Sequence, residues 1–251
     1  TACRMAGRLK SSEPQVMMAQ TLLDSIRGGN ADQQRRAIAK AITLLESTRA
    51  DHRALAEAQR LLAFAKAAKL PDGFGNLDAK GQLTPGACAE TLNTARLTHC
   101  FALAHLQGIP GSLAYAEHGV AALRGAMQDA SYGGWFAHPG GQEDSGKAAY
   151  LHAFVALAAS SAVVAGAADA QLLLADATEV IETHFWSEAK GALRETFSRA
   201  WQLPEPYRGA NSNMHATEAF LALADATGNS LWLQRALRIA ERIIHTHAAA
   251  N

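Results

Sequence analysis

Three features of the sequence predict an all-α fold built of helical hairpins. Apolar residues recur at helical spacing through the long segments, and strand-type alternation is rare. One pattern of two helices joined by a short turn recurs along the chain. Repeats of this kind either continue as an open solenoid or close into an α/α toroid. Unequal repeats with long loops rich in glycine and aromatic residues favour the toroid, whose loops build a pocket at one end.

The first two helices are expected near 13–27 and 31–49. The text "QQRRAIAKAITLLESTRADHRAL" is a charged amphipathic pattern without the later repeat, so a boundary is placed near 50. It separates an N-terminal helical extension (1–50) from a main domain (51–251). A helix near 51–69 stops at Pro71-Asp72-Gly73. The helices then pair: 87–107 with 112–128, 146–165 with 168–185, and 213–227 with 230–247. Gly108-Ile109-Pro110-Gly111 and Gly228-Asn229 break the first and third pairs, and Pro85-Gly86 and Pro139-Gly140-Gly141 mark the loops. The first helices carry "THCFALAHLQG", "LHAFVALAASS" and "ATEAFLALADATG", which overlay on Phe101, Phe154 and Phe220. Short extended stretches at 133–137 and 192–198 read as small hairpins within loops.

Composition narrows the function. Hydrophobic residues make up 49% of the 251, enough for a sizeable core, and 23 basic side chains balance 23 acidic ones. This balance gives no electrostatic footprint for nucleic acid or an acidic membrane. No strictly apolar run reaches the length of about 18 residues that a spanning helix needs. The nearest stretch, 153–168, is short and rich in Ala and Ser, and reads as a buried helix. Cys3, Cys88 and Cys100 form no CxxC pair. Their odd number fits a reducing compartment, so the expected location is cytoplasmic. There is no HExxH, no GxxxxGK[ST] and no GxSxG, so metal, nucleoside-triphosphate and serine-hydrolase chemistry find no support.

Polar residues gather near the start of each pair's first helix. Arg96 and His99 come from the first, Lys147, Tyr150 and His152 from the second, and Asn211, Asn213, His215 and Glu218 from the third. Residues three apart share a helix face, so His215 can meet Glu218, and Arg96 can neighbour His99. In a toroid these helices line the centre, and the side chains converge. Such a set suits proton transfer: an imidazole takes and returns the proton, a carboxylate orients it, and Arg96 stabilises a developing oxyanion. Trp135, Phe136, Trp186 and Trp201 are suited to stacking on a sugar ring. The bland alternatives are a capping arrangement at His215, with Ser212 or Asn213 as N-cap, and core packing for His99.

Several stretches together carry a resemblance: "GFGNLDAKGQ", "ARLTHCFALA", "GGWFA", "KAAYLHAFVALAA", "HFW" and "YRGANSNMHATEAFLALADATG". Through them, residues from about 51 to 251 resemble the N-acylglucosamine 2-epimerase superfamily, within it the aldose–ketose isomerase branch of mannose–fructose and sulfoquinovose isomerases. The resemblance implies an (α/α)6 barrel and isomerisation of a free hexose through a cis-enediol. It implies acid/base work for His215 with Glu218, ring opening for His152, substrate contacts for Arg96, and a pocket-loop place for Trp135. Asn211 and Asn213 join the expected substrate-binding set. It implies no cofactor and no metal. The expected partner is a small-molecule sugar, with other copies of the chain for a homo-oligomer.

Leu92 and Leu151 stand where the branch resemblance implies a Trp and an Asp. Family members run longer, so the resemblance implies an incomplete barrel, truncated at its C-terminal side. The helix with a second acid/base histidine would be missing, and the isolated chain is expected to show little isomerase activity. Sugar 2-epimerisation is one alternative. Another is a non-catalytic helical-repeat binding module or inactive remnant. Residues of about 15–52, "LLDSIRGGNADQQRRAIAKAITLLESTRADHRA", also resemble the N-terminal helices of the methylmalonyl-CoA mutase-associated GTPase family, without that family's P-loop.

Overall fold

The computed structural model describes residues 53–141, 146–202 and 206–247, without the side chains of 246 and 247. The helices expected near 13–27 and 31–49, the boundary near 50 and the GTPase-like segment lie outside the described residues. The chain divides into two compact units, Thr1–Phe64 and Ala65–Asn251. In the first, residues 53–64 are helical, with Arg60 paired to Glu57 one turn earlier.

The second unit holds the hairpins. A 3-10 turn, Lys66–Ala68, leads into a two-residue hairpin of β1 (Lys69–Leu70) and β2 (Gly73–Phe74), which the sequence reading had as helix end and turn. Then come α1 (Thr91–Leu106) and α2 (Ser112–Arg124), followed by α3 (Ala149–Val164) and α4 (Ala170–Val180). The third pair is α5 (Ala210–Thr227) and α6 (Ser230–Glu241). Each first helix packs on its own partner, and α3 also packs between α1 and α5. The first helices therefore form an inner row, with the second helices behind them.

Residue type explains the places in this row. Helix α3 is apolar all round, and from His152 to Ala162 every residue is buried. A helix without a polar face must be enclosed. Its alanines let two neighbours approach closely, because the side chains at the contact set the distance between axes. Phe101 and Phe220, both fully buried, point back into the hairpins: Phe101 stacks on Tyr115 and Phe220 meets Trp232. Burying each such side chain stabilises the fold by about 1.5–3 kcal/mol.

The three phenylalanines expected to overlay are not equivalent in the fold. Phe101 and Phe220 each stand ten residues after the first residue of their helix, Thr91 and Ala210. Phe154 stands five after Ala149 and faces the other way, against Tyr150 and His215. The stretch 192–198 is also not one hairpin. β5 (Ala192–Leu193) pairs with β4 (Trp186–Ser187), and β6 (Thr196–Phe197) pairs with β3 (Lys147–Ala148). One loop thus ties the end of a π-helical turn, Ile181–Phe185, to the entrance of α3.

The start of α5 differs from expectation as well. The helix begins at Ala210 with Gly209 as N-cap, so Ser212 and Asn213 lie inside it and neither is the cap. The carboxylate of Glu195 accepts the Gly209 N–H (2.9 Å) and the Ser212 hydroxyl (2.5 Å). It brings negative charge to the helix N-terminus, where the dipole favours it. The backbone carbonyl of Glu195 accepts the N–H of Ala149 (2.9 Å). One residue thereby anchors the starts of α3 and α5 together. Among the described residues no helix is long and apolar enough to cross a membrane.

Candidate functional site

The inner helices start side by side, so positions counted from each start fall into rows across them. Arg96, Phe154 and His215 each stand five residues after the start of α1, α3 and α5. They are in contact. The Arg96 guanidinium lies 4.4 Å from the Phe154 ring centre, and the His215 ring lies 4.6 Å from the same centre. Tyr150, one turn earlier on α3, accepts a hydrogen bond from Arg96 at its hydroxyl (2.6 Å) and presents its ring to His215 (5.2 Å). An arginine over an aromatic face gains cation–π attraction. Arg96 is exposed and His215 half-buried, so the row opens to solvent on the face away from the outer helices.

His215 Nδ1 lies 3.2 Å from Glu218 Oε2, as the three-residue spacing predicts. A carboxylate only accepts, so Nδ1 carries the proton in the neutral ring and Nε2 is the lone-pair nitrogen. The Glu218 side chain is 52% exposed and that of His215 is 22% exposed. Both can meet a solute.

The next row, eight residues after the helix starts, holds His99, Leu157 and Glu218. His99 Nδ1 is 2.7 Å from the Ser161 hydroxyl oxygen. Burial pushes the His99 pKa down, and the negative charge of Glu218 opposes that shift from across α3. Asn211 is exposed one residue after the start of α5, level with Tyr150.

Three of the expected residues lie elsewhere. His152 is buried beneath the loops with both ring nitrogens engaged: Nδ1 donates to the Ala148 carbonyl (2.7 Å), and Nε2 accepts the Trp135 N–H (3.1 Å). Burial lowers its pKa to about 3, against the hydrogen bond to Ala148 and with help from the positive charge of Lys147. The ring is neutral at ordinary pH. Trp135 is 1% exposed, and its indole donates to the Leu123 carbonyl (2.7 Å). Phe136 and Trp186 are buried too, so of the four aromatic side chains singled out in the loops only Trp201 keeps a partly open surface. Asn213 is buried, accepting from the Leu193 N–H (2.8 Å) and donating to the Gly209 carbonyl (2.9 Å). It faces a cavity of about 240 Å³ between the start of α5 and the end of α6, where Arg208 and Arg242 also lie.

Around His152 stands an ionic cluster of which the sequence reading had only Lys147. Buried Asp129 receives Lys147 Nζ (2.9 Å) and Arg199 Nε (2.9 Å), and the N–H groups of Ser131 and Tyr132 reach the same carboxylate. Burial alone would raise the Asp129 pKa, but the hydrogen bonds from Arg199 and Lys147 outweigh it and hold the carboxyl below the usual range. Burial lowers the Lys147 pKa, and Asp129 opposes this. Gly134 packs between two of these rings at φ +70°, and a Cβ there would sit 2.7 Å from His152 Nε2 and 2.8 Å from the Trp201 ring. Trp201 itself adopts φ 62°, stacks on His184 at 3.8 Å and donates its indole N–H to the Tyr132 carbonyl (2.6 Å). The whole cluster clamps the 129–136 and 198–201 loops to the start of α3.

Among the described residues no three His, Cys, Asp or Glu side chains are placed to hold a metal ion. Comparison with known proteins adds context to this geometry. Residues 73–251 match the N-acylglucosamine 2-epimerase (GlcNAc 2-epimerase) family. The chain is 63% identical over 206 residues to a D-mannose isomerase of Pseudomonas cannabina pv. alisalensis, covering 80% of this chain and 49% of that protein. It is 52% identical over 211 residues to a D-mannose isomerase of Thermobifida fusca, covering 82% and 52%. A crystal structure of D-mannose isomerase superposes with a TM-score of 0.71 at 31% identity, over 77% of this chain and 51% of that one. The hairpins are thus those of an (α/α)6 barrel, and the chain spans about half the length of the curated relatives it matches.

Proposed function

The chain belongs to the N-acylglucosamine 2-epimerase family, and from that premise we propose that its open row serves aldose–ketose isomerisation of a free hexose of the mannose–fructose type. The observation that carries the reading is the convergence of Arg96, His215 and Glu218 on one accessible face, around the rings of Tyr150 and Phe154. That face belongs to a fold whose relatives are D-mannose isomerases.

The chemistry follows from the placement. In the open-chain aldose, His215 Nε2 takes the proton from C2. The C2–H electron pair forms the C1–C2 double bond of an enediolate, and negative charge collects on O1. Arg96 stabilises that charge, and Glu218 stabilises the imidazolium and fixes its orientation. Transfer of the O2 proton to O1 and return of the proton from His215 Nε2 to C1, as C2=O forms, gives the ketose. Return to the opposite face of C2 would give the epimer. Positioned proton transfer of this sort contributes about 10²–10⁴-fold in rate. In this reading the row offers a base, a carboxylate and a cation for that first step, and Glu195 holds the starts of α3 and α5 together.

The test is D-mannose with the chain in D2O. The reading expects deuterium at C2 of recovered mannose and at C1 of any fructose formed, while labelled glucose in place of fructose would turn the reading to epimerisation. Binding of mannose without any exchange would instead support a carbohydrate-binding module, and neither binding nor exchange would sink both.

A further inference from the structure

The open face does not end at the Arg96–Phe154–His215 row. One turn further along the same helices stand His99 and Glu218, with Leu157 between them. Three residues along a helix advance about 4.5 Å, less than the length of an open hexose chain. A sugar with its reacting carbons beside His215 would therefore place its distal hydroxyls at the level of His99.

The environment of His99 suits that contact. Its ring is half-buried and is held by Ser161, 2.7 Å from Nδ1, on the last turn of the neighbouring inner helix. The only other polar group in its row is Glu218, whose charge reaches it across α3. Burial favours the neutral imidazole, which has one donor and one acceptor nitrogen and can pair with a hydroxyl. A ring fixed before the ligand arrives loses little freedom on binding.

We propose that His99, oriented by Ser161, is a substrate-contacting residue that recognises a hydroxyl at the C4–C6 end of the sugar. Ser161 is a positioning residue that acts through His99. The inference rests on the sugar-binding reading of the open face, and it concerns recognition, not proton transfer.

Binding of D-mannose, 4-deoxy-D-mannose and 6-deoxy-D-mannose to the chain tests it, measured by calorimetry. The unaltered chain should bind one deoxy sugar about tenfold more weakly than mannose, the size of one lost neutral hydrogen bond. In His99→Ala that difference should vanish, and mannose itself should bind about tenfold more weakly. Ser161→Ala should move the same ratio in the same direction by less, and His99→Gln should restore part of it. These conservative variants guard against a folding defect in His99→Ala. Unchanged ratios in His99→Ala and Ser161→Ala would overturn the inference. An unaltered chain that binds and discriminates the sugars yet exchanges no C2 proton would leave His99 assigned and overturn the isomerase reading alone. Failure to bind any of the three would overturn both.

Discussion

Two histidines on neighbouring inner helices occupy opposite environments. His215 sits in the open row, with one nitrogen on the exposed carboxylate of Glu218 and its ring against Tyr150 and Phe154. His152 sits under the loops, with both nitrogens spent on backbone groups and a pKa lowered to about 3. Both imidazoles come from the first two turns of helices anchored by the same residue, Glu195. The difference teaches that a histidine can transfer protons only where a nitrogen faces a solute and the charged form is tolerated. The open row leaves polar groups within reach of a solute, and the closed cluster of His152, Asp129, Lys147 and Arg199 holds loops.

The most disruptive way to probe this contrast is to remove the centre of the closed cluster. Asp129→Ala leaves Lys147 buried without its carboxylate, and should cost about 3–5 kcal/mol in urea unfolding. A cost under about 1 kcal/mol would mean that the cluster is no anchor. On the open side, Arg96→Met should slow C2 exchange by about 10²-fold with little change in the urea midpoint, because Arg96 is exposed and its loss removes charge stabilisation. An equal loss of stability would place Arg96 with the anchors.

Acidity gives a smaller effect with a definite sign. Folded His152 has its pKa near 3, whereas an unfolded histidine has about 6.5. Between those values the unfolded chain binds a proton that the folded chain refuses. Stability therefore falls as pH drops through that window, by up to about 1.4 kcal/mol per pH unit from this group. The downward shifts of His99 and His184, both from burial, act in the same sense. Asp129, with its lowered pKa, contributes stability that is fully present above the ordinary carboxylate range and is lost progressively as the pH falls through that range and below it. His152→Gln should flatten the dependence of the urea midpoint between about pH 6 and 5, and an unaltered slope would show that His152 is not held neutral. Smallest of all, Asn211→Ala should leave stability within about 0.5 kcal/mol, because the side chain is exposed in the first turn of α5. A larger thermal shift would reveal a structural contact there.

The parts legible in the sequence were those encoded locally. Helical spacing and glycine punctuation gave the six hairpin helices, and a three-residue spacing gave the His215–Glu218 pair. What the text concealed depends on long-range packing. Asp129 meets Arg199 seventy residues later, and no periodicity announces such a pair. Trp135 looks like a stacking platform in text, but its peptide and indole are both tied down in the core. Phe154 misled because α3 is buried throughout from His152 to Ala162, so its apolar text there has no polar face to reveal orientation. Aligning the hairpins on helix starts brings out Phe154 and Tyr150 as part of the row, where aligning on phenylalanines conceals them.

The most direct test compares the two histidines in one assay. C2 deuterium exchange of D-mannose is measured for His215→Gln and His152→Gln, with each rate divided by the folded fraction from urea unfolding. The account predicts that His215→Gln loses at least about 10²-fold in exchange at an unchanged urea midpoint. It predicts that His152→Gln loses stability while each folded molecule exchanges within a few-fold of the unaltered chain. The reverse outcome, exchange lost with His152 and kept without His215, would contradict it.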